Sequence, residues 1–189
     1  MDIVISDSGD VAKPFIEYIT VARGDIALQS VDAVVMTIPR NLDFCGGINN
    51  SIAAACGYDL DSFILDNIYK PKPGEVYALP GGNLPAQHIF VGITPYYRTE
   101  FDRKEGDMVQ IVRRVMELAH CMLVERIAIP PVCSGRKCFP KSRAARFIVQ
   151  GVYDRMYSGL EEVRLVGLDD QTLHAFESKL FAMGRAGSS

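Results

Sequence analysis

The sequence predicts a three-layer α/β/α domain with a mixed sheet of six or seven strands. Short apolar runs alternate with longer segments of helical periodicity, which is typical of strands joined by helical crossovers. The chain has 189 residues, 48% of them hydrophobic, a length that suits one globular domain with a full core. We therefore expect one domain over 15–182, an N-terminal extension at 1–14 and a disordered tail at 183–189.

The strands are predicted from short runs rich in apolar and β-branched residues that end at turn-forming residues. The fifth run contains two prolines after Ile129. In chain order the strands are Phe15–Val21, Ala33–Ile38, Glu75–Leu79, His88–Ile93, Ile127–Val132 and Val163–Val166, with a possible extra edge strand at Asp2–Ile5.

The helices are predicted from apolar residues that recur every three and four positions. This pattern is clearest over 105–125, where it indicates one buried helical face. The first helix stops at Gly57, since glycine commonly follows a helix end. The four helices are Asn49–Gly57, 105–125, Pro140–Tyr157 and 169–183, the last with Asp169 or Asp170 as its N-cap.

Charge and cysteine content exclude several classes of protein. The formal net charge is −3, whereas a nucleic-acid coat or a polybasic membrane anchor needs a dominant positive field. No segment approaches the ~18 apolar residues of a membrane span. The five cysteines form an odd set without CxxC spacing, which favours a reducing compartment. We expect a cytoplasmic protein that binds neither membranes nor nucleic acids in general.

Two glycine-containing loops each lie between a predicted strand and a predicted helix. One contains Gly46-Gly47 and the other Ser134-Gly135. Glycines let the backbone approach a ligand closely, and the N–H groups at a helix start favour anions. Either loop alone is more often an ordinary turn, but two of them at the carboxyl ends of strands predict a diphosphate clamp. Local positive charge would come from Arg136, Lys137, Lys141, Arg143 and Arg146, although 143 and 146 suit a solvated helix face.

No cofactor or metal site is predicted. The three histidines, His88, His120 and His174, fall in separate elements and suit structural or surface positions. Three cysteines lie in the two loops, where such residues are most often small half-buried fillers. These cysteines are Cys45, Cys133 and Cys138.

Four motifs in this order resemble the macro domain family of ADP-ribose-binding modules, over roughly residues 15–182. They are "ITVARGDIALQSVDAVV", "GGINNSI", "PGEVYALPGGNLPAQHIFVGITP" and "IAIPPVCSGRKCFP". The resemblance implies an ADP-ribose-type small molecule, or an ADP-ribosylated macromolecule, as the partner. By the same resemblance, Asp25 would accept a hydrogen bond from the adenine amino group, a role that suits a group that only accepts. From its residue type alone, Asp25 suits a helix cap or turn.

The resemblance also implies where the rest of the ligand lies. The first glycine loop would supply amides to one side of the diphosphate, and the second would wrap the other side and the distal ribose. The implied ligand-binding residues are Asp25, Ile26, Gly46, Gly47, Ile48, Asn49, Val132, Cys133, Ser134, Gly135, Arg136, Lys137, Cys138 and Phe139.

The sequence departs from the family at the positions that support catalysis. Met36 and Pro39 stand where catalytic members have two asparagines, Asn49 stands where they have an aspartate, and Ala53 replaces a frequent histidine. An amide cannot take a proton as a carboxylate does. In the second loop Lys137 replaces an aromatic residue, a role that Phe139 fills only if the loop shifts.

Three functions remain open from the sequence. The leading one is a module that binds ADP-ribose or a related adenine diphosphate nucleotide and lacks the usual hydrolytic residues. The second is an ADP-ribosyl hydrolase or ADP-ribose-1"-phosphate phosphatase that uses non-standard residues, for which Asn49, Asp43 and Lys137 are the candidates. The third is a degenerate fold that has lost nucleotide binding and serves as a scaffold.

Overall fold

The protein forms a six-stranded mixed sheet with helices on both faces, as the sequence predicts. The computed structural model describes residues 15–44, 46–95, 105–132 and 139–186. The strands are β1 (Ile19–Arg23), β2 (Ala33–Pro39), β3 (Val76–Pro80), β4 (His88–Thr94), β5 (Arg126–Ile129) and β6 (Glu162–Gly167). The helices are α1 (Gly47–Ala55), α2 (Leu60–Asn67), α3 (Glu105–Cys121), α4 (Lys141–Tyr153) and α5 (Asp170–Ala186).

The strand order is β1-β6-β5-β2-β4-β3. All neighbouring strands run parallel except β3, which pairs with β4 in the antiparallel sense. β2 lies at the centre of this sheet, between β5 and β4. The possible strand at Asp2–Ile5 lies outside the described residues and stays a prediction.

The core has two parts, one on each face of the sheet. On one face α3, α4 and α5 pack against the strands, and on the other α1 and α2 do. Successive residues of β2 point to opposite faces of the sheet. Val35 packs on the face of α3, α4 and α5, and Met36 packs on the face of α1 and α2. Neither residue exposes more than 2% of its surface. A strand buried on both faces carries a continuous apolar run, which is what made β2 recognisable.

Several element bounds differ from those predicted. Residues Phe15–Tyr18 form a 3₁₀ helix, so β1 starts only at Ile19. The predicted strand Ile127–Val132 ends at Ile129, where the two prolines begin. α2 was not predicted; it starts at its N-cap Asp59, whose side chain accepts from the Ser62 amide at 3.1 Å.

The C-terminal helices also differ in length from the prediction. α4 ends at Tyr153, four residues before the predicted end, and Tyr157 instead donates to the Val124 carbonyl at 2.6 Å. α5 continues to Ala186, so residues 183–186 are helical and do not belong to a disordered tail. Asp169 is its N-cap, because its carboxylate accepts from the Thr172 amide at 2.9 Å. None of the helices in the described ranges has both the length and the apolar character needed to cross a bilayer.

Candidate functional site

The two candidate loops leave the carboxyl ends of adjacent parallel strands. β2 and β5 pair only through Ala33 with Ile127 and Val34 with Ala128. β2 then continues to Pro39, whereas β5 ends at Ile129. The two strands therefore part on the side where the loops begin, and this is where α/β sheets bind their ligands.

Apolar side chains fill the space where the strands part. They leave no room even for a water molecule, so the ligand cannot enter between β2 and β5 and has to bind above the strand ends. The residues that fill this space are Val35, Thr37, Ile111, Val112, Val115, Ile129 and Val132.

The first glycine loop is open to approach from outside. Gly46 has a φ of 106°, a conformation that favours glycine, and it directly precedes α1. A Cβ added at Gly46 or at Gly47 would meet no atom within 4 Å. The first backbone N–H groups of a helix have no partner within the helix, and here they lie beside backbone that a ligand can approach, which suits an anion.

Asp25 lies on the same edge of the sheet and is tied to α1. It caps the 3₁₀ helix Ile26–Leu28, with Oδ1 accepting from the Ala27 amide at 2.9 Å. Its Oδ2 accepts from the Ser51 hydroxyl of α1 at 2.5 Å. The capping role is therefore present, and it leaves each carboxylate oxygen a second lone pair. Ile26, the other residue implied there, is 4% exposed.

Two exposed leucines near Asp25 were not predicted as site residues. Leu28 and Leu168 each expose 69% of their surface. The Gly24 amide donates to the Gly167 carbonyl at 3.0 Å, which holds Leu168 next to the Asp25 turn. Apolar side chains beside a hydrogen-bonding group can pack against the face of a purine base. Leu28 lies in the first of the four motifs without an assigned role and Leu168 lies in none of them, so only their exposure in the fold marks the two leucines.

Asn49 and Met36 have structural roles in the fold. Asn49 is 5% exposed, and its Nδ2 donates to the Thr37 carbonyl of β2 at 3.0 Å. The Met36 side chain is fully buried under α1 and α2. Ile48 is half-buried against the same core, and Asp43 is exposed in the β2–α1 loop.

Most of the second loop lies outside the described residues, namely Cys133, Ser134, Gly135, Arg136, Lys137 and Cys138, as does Cys45 of the first loop. The residues on either side of the second loop are described. Val132 is 3% exposed and Phe139 4% exposed, and both belong to the core under α3 and α4. Phe139 packs edge-on against Phe147 with ring centroids 5.4 Å apart. In this structure these two residues are therefore core side chains.

The basic residues of α4 are already paired with acids. Lys141 contacts Asp169 at 2.5 Å, and Arg143 and Arg146 both contact Glu105. The two arginines are more than half exposed, which fits the predicted solvated face. The hydrogen bond from Lys141, together with those from Thr172, lowers the pKa of Asp169 to about 2. These three cations therefore add less free positive charge than their number suggests.

Within the described ranges, no three side chains of His, Cys, Asp or Glu come together as a metal site requires. Of the cysteines, Cys56 is buried and Cys121 exposed.

The chain is similar to proteins that carry a macro domain. The family model of the macro domain matches residues 35–148. A macro domain-containing protein of Cupriavidus necator is 26% identical over 87% of this chain and 98% of its own length. An O-acetyl-ADP-ribose deacetylase of Salmonella newport is 27% identical over 87% of this chain and 94% of its own. An uncharacterized protein of Thermotoga maritima is 26% identical, but the chain spans only 28% of its length.

Solved structures share the fold. The Oceanobacillus iheyensis macrodomain with ADP superposes with a TM-score of 0.78 at 21% identity, over 89% of this chain and 92% of that one. The Trypanosoma brucei macrodomain in complex with ADP gives a TM-score of 0.77 at 18% identity, over 88% of this chain and 71% of that one.

Proposed function

Because this chain belongs to the macro domain family, we propose that it binds ADP-ribose or a related adenine diphosphate nucleotide, free or attached to a macromolecule. The ligand lies across the carboxyl edge of the sheet. Its base lies at Asp25 beside the exposed leucines, and its diphosphate lies at the glycine loop. Two relatives in the fold carry ADP, which supports this class of ligand.

One observation carries the proposal: the phosphate site lies at the start of α1, and the base site at Asp25 is hydrogen-bonded to the same helix. α1 begins at Gly47, and its Ser51 donates to Asp25. These two positions are four residues apart, or about 6 Å along the helix axis. A single nucleotide, whose base and diphosphate are separated by a ribose, can therefore contact both.

Binding without the family's usual hydrolysis follows from Asn49. A carboxylate at this position would activate water, but an amide does not take up a proton at neutral pH. The Asn49 amide is moreover committed to the Thr37 carbonyl. The side chain therefore stabilises the junction of α1 with β2.

Turnover is a second candidate, favoured by the deacetylase relative and by Asp43. This carboxylate is exposed three residues before Gly46, and its nearness in the chain to the glycine loop supports a role in orienting water. The Asp43→Asn variant tests it, because the amide keeps the shape and loses the base. The assay measures hydrolysis of O-acetyl-ADP-ribose and of ADP-ribose-1"-phosphate. If the wild type hydrolyses either compound and the variant does so at the same rate, Asp43 is not the catalytic group.

Calorimetric titration with ADP-ribose, ADP and AMP tests the binding function. We expect saturable binding with ADP-ribose and ADP ahead of AMP, because AMP lacks the second phosphate. Asp25→Ala should weaken binding about tenfold or more, the loss of one hydrogen bond to a charged group. The control is Glu177→Ala, which removes an exposed carboxylate from α5 on the opposite face of the sheet. Absence of heat with all three nucleotides would refute the proposal.

A further inference from the structure

We propose that Ser51 is a positioning residue for base specificity: it fixes the Asp25 carboxylate so that the site prefers a purine with an exocyclic amine over one with a carbonyl. This inference rests on the nucleotide-binding function proposed above and adds the group that sets its selectivity.

The hydrogen bond between the two residues has a fixed direction. An ionised carboxylate has no hydrogen to give, so the Ser51 hydroxyl must donate to Asp25 Oδ2 across their 2.5 Å separation. The other oxygen, Oδ1, accepts from the Ala27 amide at 2.9 Å. The two donors come from different elements, the 3₁₀ turn and α1.

Both donors are needed to hold the plane of the carboxylate. The terminal torsion of an aspartate side chain has a broad, shallow energy profile. A single anchor at Oδ1 would leave Oδ2 free to swing about that torsion. The second anchor from Ser51 fixes Oδ2 and thereby the direction of the lone pairs that remain.

The remaining lone pairs make the site selective. They can only accept a hydrogen bond, so they attract an amino group and repel a carbonyl oxygen. Adenine carries an amine at the position where hypoxanthine carries a carbonyl. A carboxylate that is free to rotate can turn its lone pairs away from the carbonyl, and the preference then falls.

Ser51 is not needed for the helix itself. It lies inside α1, where alanine is the better helix former. The Ser51→Ala variant is therefore expected to fold, and any change in selectivity is separable from loss of the helix.

The test compares ADP with inosine diphosphate on the wild type and on Ser51→Ala, Ser51→Thr and Ser62→Ala. Ser62 is a matched control because its hydroxyl also donates to an aspartate, Asp59, at 2.8 Å, but at the start of α2. We expect Ser51→Ala to reduce the preference for ADP over inosine diphosphate about tenfold, the scale of one hydrogen bond to a charged acceptor. Ser51→Thr keeps a hydroxyl and should restore most of the preference, and Ser62→Ala should leave it unchanged.

The outcomes separate this inference from the function on which it rests. If the wild type binds neither nucleotide, the binding function fails and the role of Ser51 fails with it. If the wild type binds and prefers ADP, but Ser51→Ala keeps the same ratio of the two affinities, only the role of Ser51 is refuted. A drop in affinity for both nucleotides at an unchanged ratio would likewise assign Ser51 to structure alone.

Discussion

The Nδ2 of Asn49 donates to the Thr37 carbonyl at 3.0 Å, so the side chain joins α1 to β2 at the edge where the ligand is proposed to bind. Asn49→Asp should destabilise the protein at neutral pH, because a carboxylate cannot donate to that carbonyl. The loss of a buried donor costs about 1–3 kcal/mol. The favourable effect of a negative charge near a helix start is smaller, about 0.3–1 kcal/mol. We therefore expect the free energy of unfolding, measured in urea, to fall by about 1–2 kcal/mol.

The control for this change is Asn50→Asp on the same turn of α1. Asn50 is exposed, so a carboxylate at this position stays hydrated and interacts favourably with the start of the helix. We expect unchanged or slightly higher stability. Equal destabilisation by both variants would contradict the assigned role of the Asn49–Thr37 hydrogen bond.

Leu123 offers a stabilising substitution. It has a φ of 56° and is 82% exposed, and it follows α3 at the position where glycine is the usual residue. The hydrogen bond from the Val124 amide to the Ala119 carbonyl at 2.9 Å marks this type of helix end. Leu123→Gly should raise the free energy of unfolding by about 0.5–1 kcal/mol, since the strain exceeds the entropy that glycine adds to the unfolded chain.

Leu123→Ala separates the two possible causes. Alanine removes the exposed apolar side chain but keeps the Cβ and hence the strain. If alanine stabilises as much as glycine, the exposed surface is the cause and the backbone conformation is not.

Asp169 makes the stability depend on pH. Its pKa is lowered to about 2 by the hydrogen bonds from Lys141 and Thr172, whereas an unfolded aspartate titrates near about 3.9. A lowered pKa stabilises the fold above the unfolded value, and this contribution is lost as pH falls through the folded value. The difference in free energy of unfolding between wild type and Asp169→Asn should therefore shrink between pH 5 and pH 2, by the same linkage.

Asp169→Ala completes this comparison. Asparagine is nearly as good an N-cap as aspartate, whereas alanine costs about 1 kcal/mol. At pH 7 alanine should therefore destabilise more than asparagine. A pH-independent difference between wild type and asparagine would show that the contacts with Lys141 and Thr172 do not stabilise the ionised form of Asp169.

The positions of the central strands were predictable because they depend on local sequence alone. β2 and β4 were each placed to within one residue, since a strand buried on both faces is a continuous apolar run. The predicted fifth strand ran past the two prolines to Val132, whereas β5 ends at Ile129, because proline cannot donate a hydrogen bond to a neighbouring strand. The first helix was predicted from Asn49, whereas α1 begins two residues earlier, at Gly47. Element α2 was missed because eight residues with a mixed pattern give too little periodicity to distinguish a helix from a loop.

The polar contacts of the site were not predictable from the sequence. Ser51 and Asp25 are 26 positions apart, and Asn49 and Thr37 are 12 apart. These pairs meet only because α1 packs back over the sheet, which no local pattern specifies. Phe139 was given a ligand contact only if the second loop shifts, and in this structure its ring is buried against Phe147.

Gly46 and Gly47 are expected to matter for different reasons: Gly46 for the stability of the fold and Gly47 for ligand binding. Gly46 has a φ of 106°, so Gly46→Ala should destabilise the protein by about 1–2 kcal/mol. Gly47 begins α1, has no positive φ and has open space where a Cβ would stand. Gly47→Ala should therefore leave the thermal midpoint unchanged or slightly higher.

If the diphosphate approaches this backbone, the methyl group added by Gly47→Ala occupies the ligand's place. Affinity for ADP-ribose should then fall about tenfold or more, the cost of a lost charge-assisted contact. A Gly47→Ala variant with wild-type affinity would mean that the ligand binds elsewhere on the edge of the sheet.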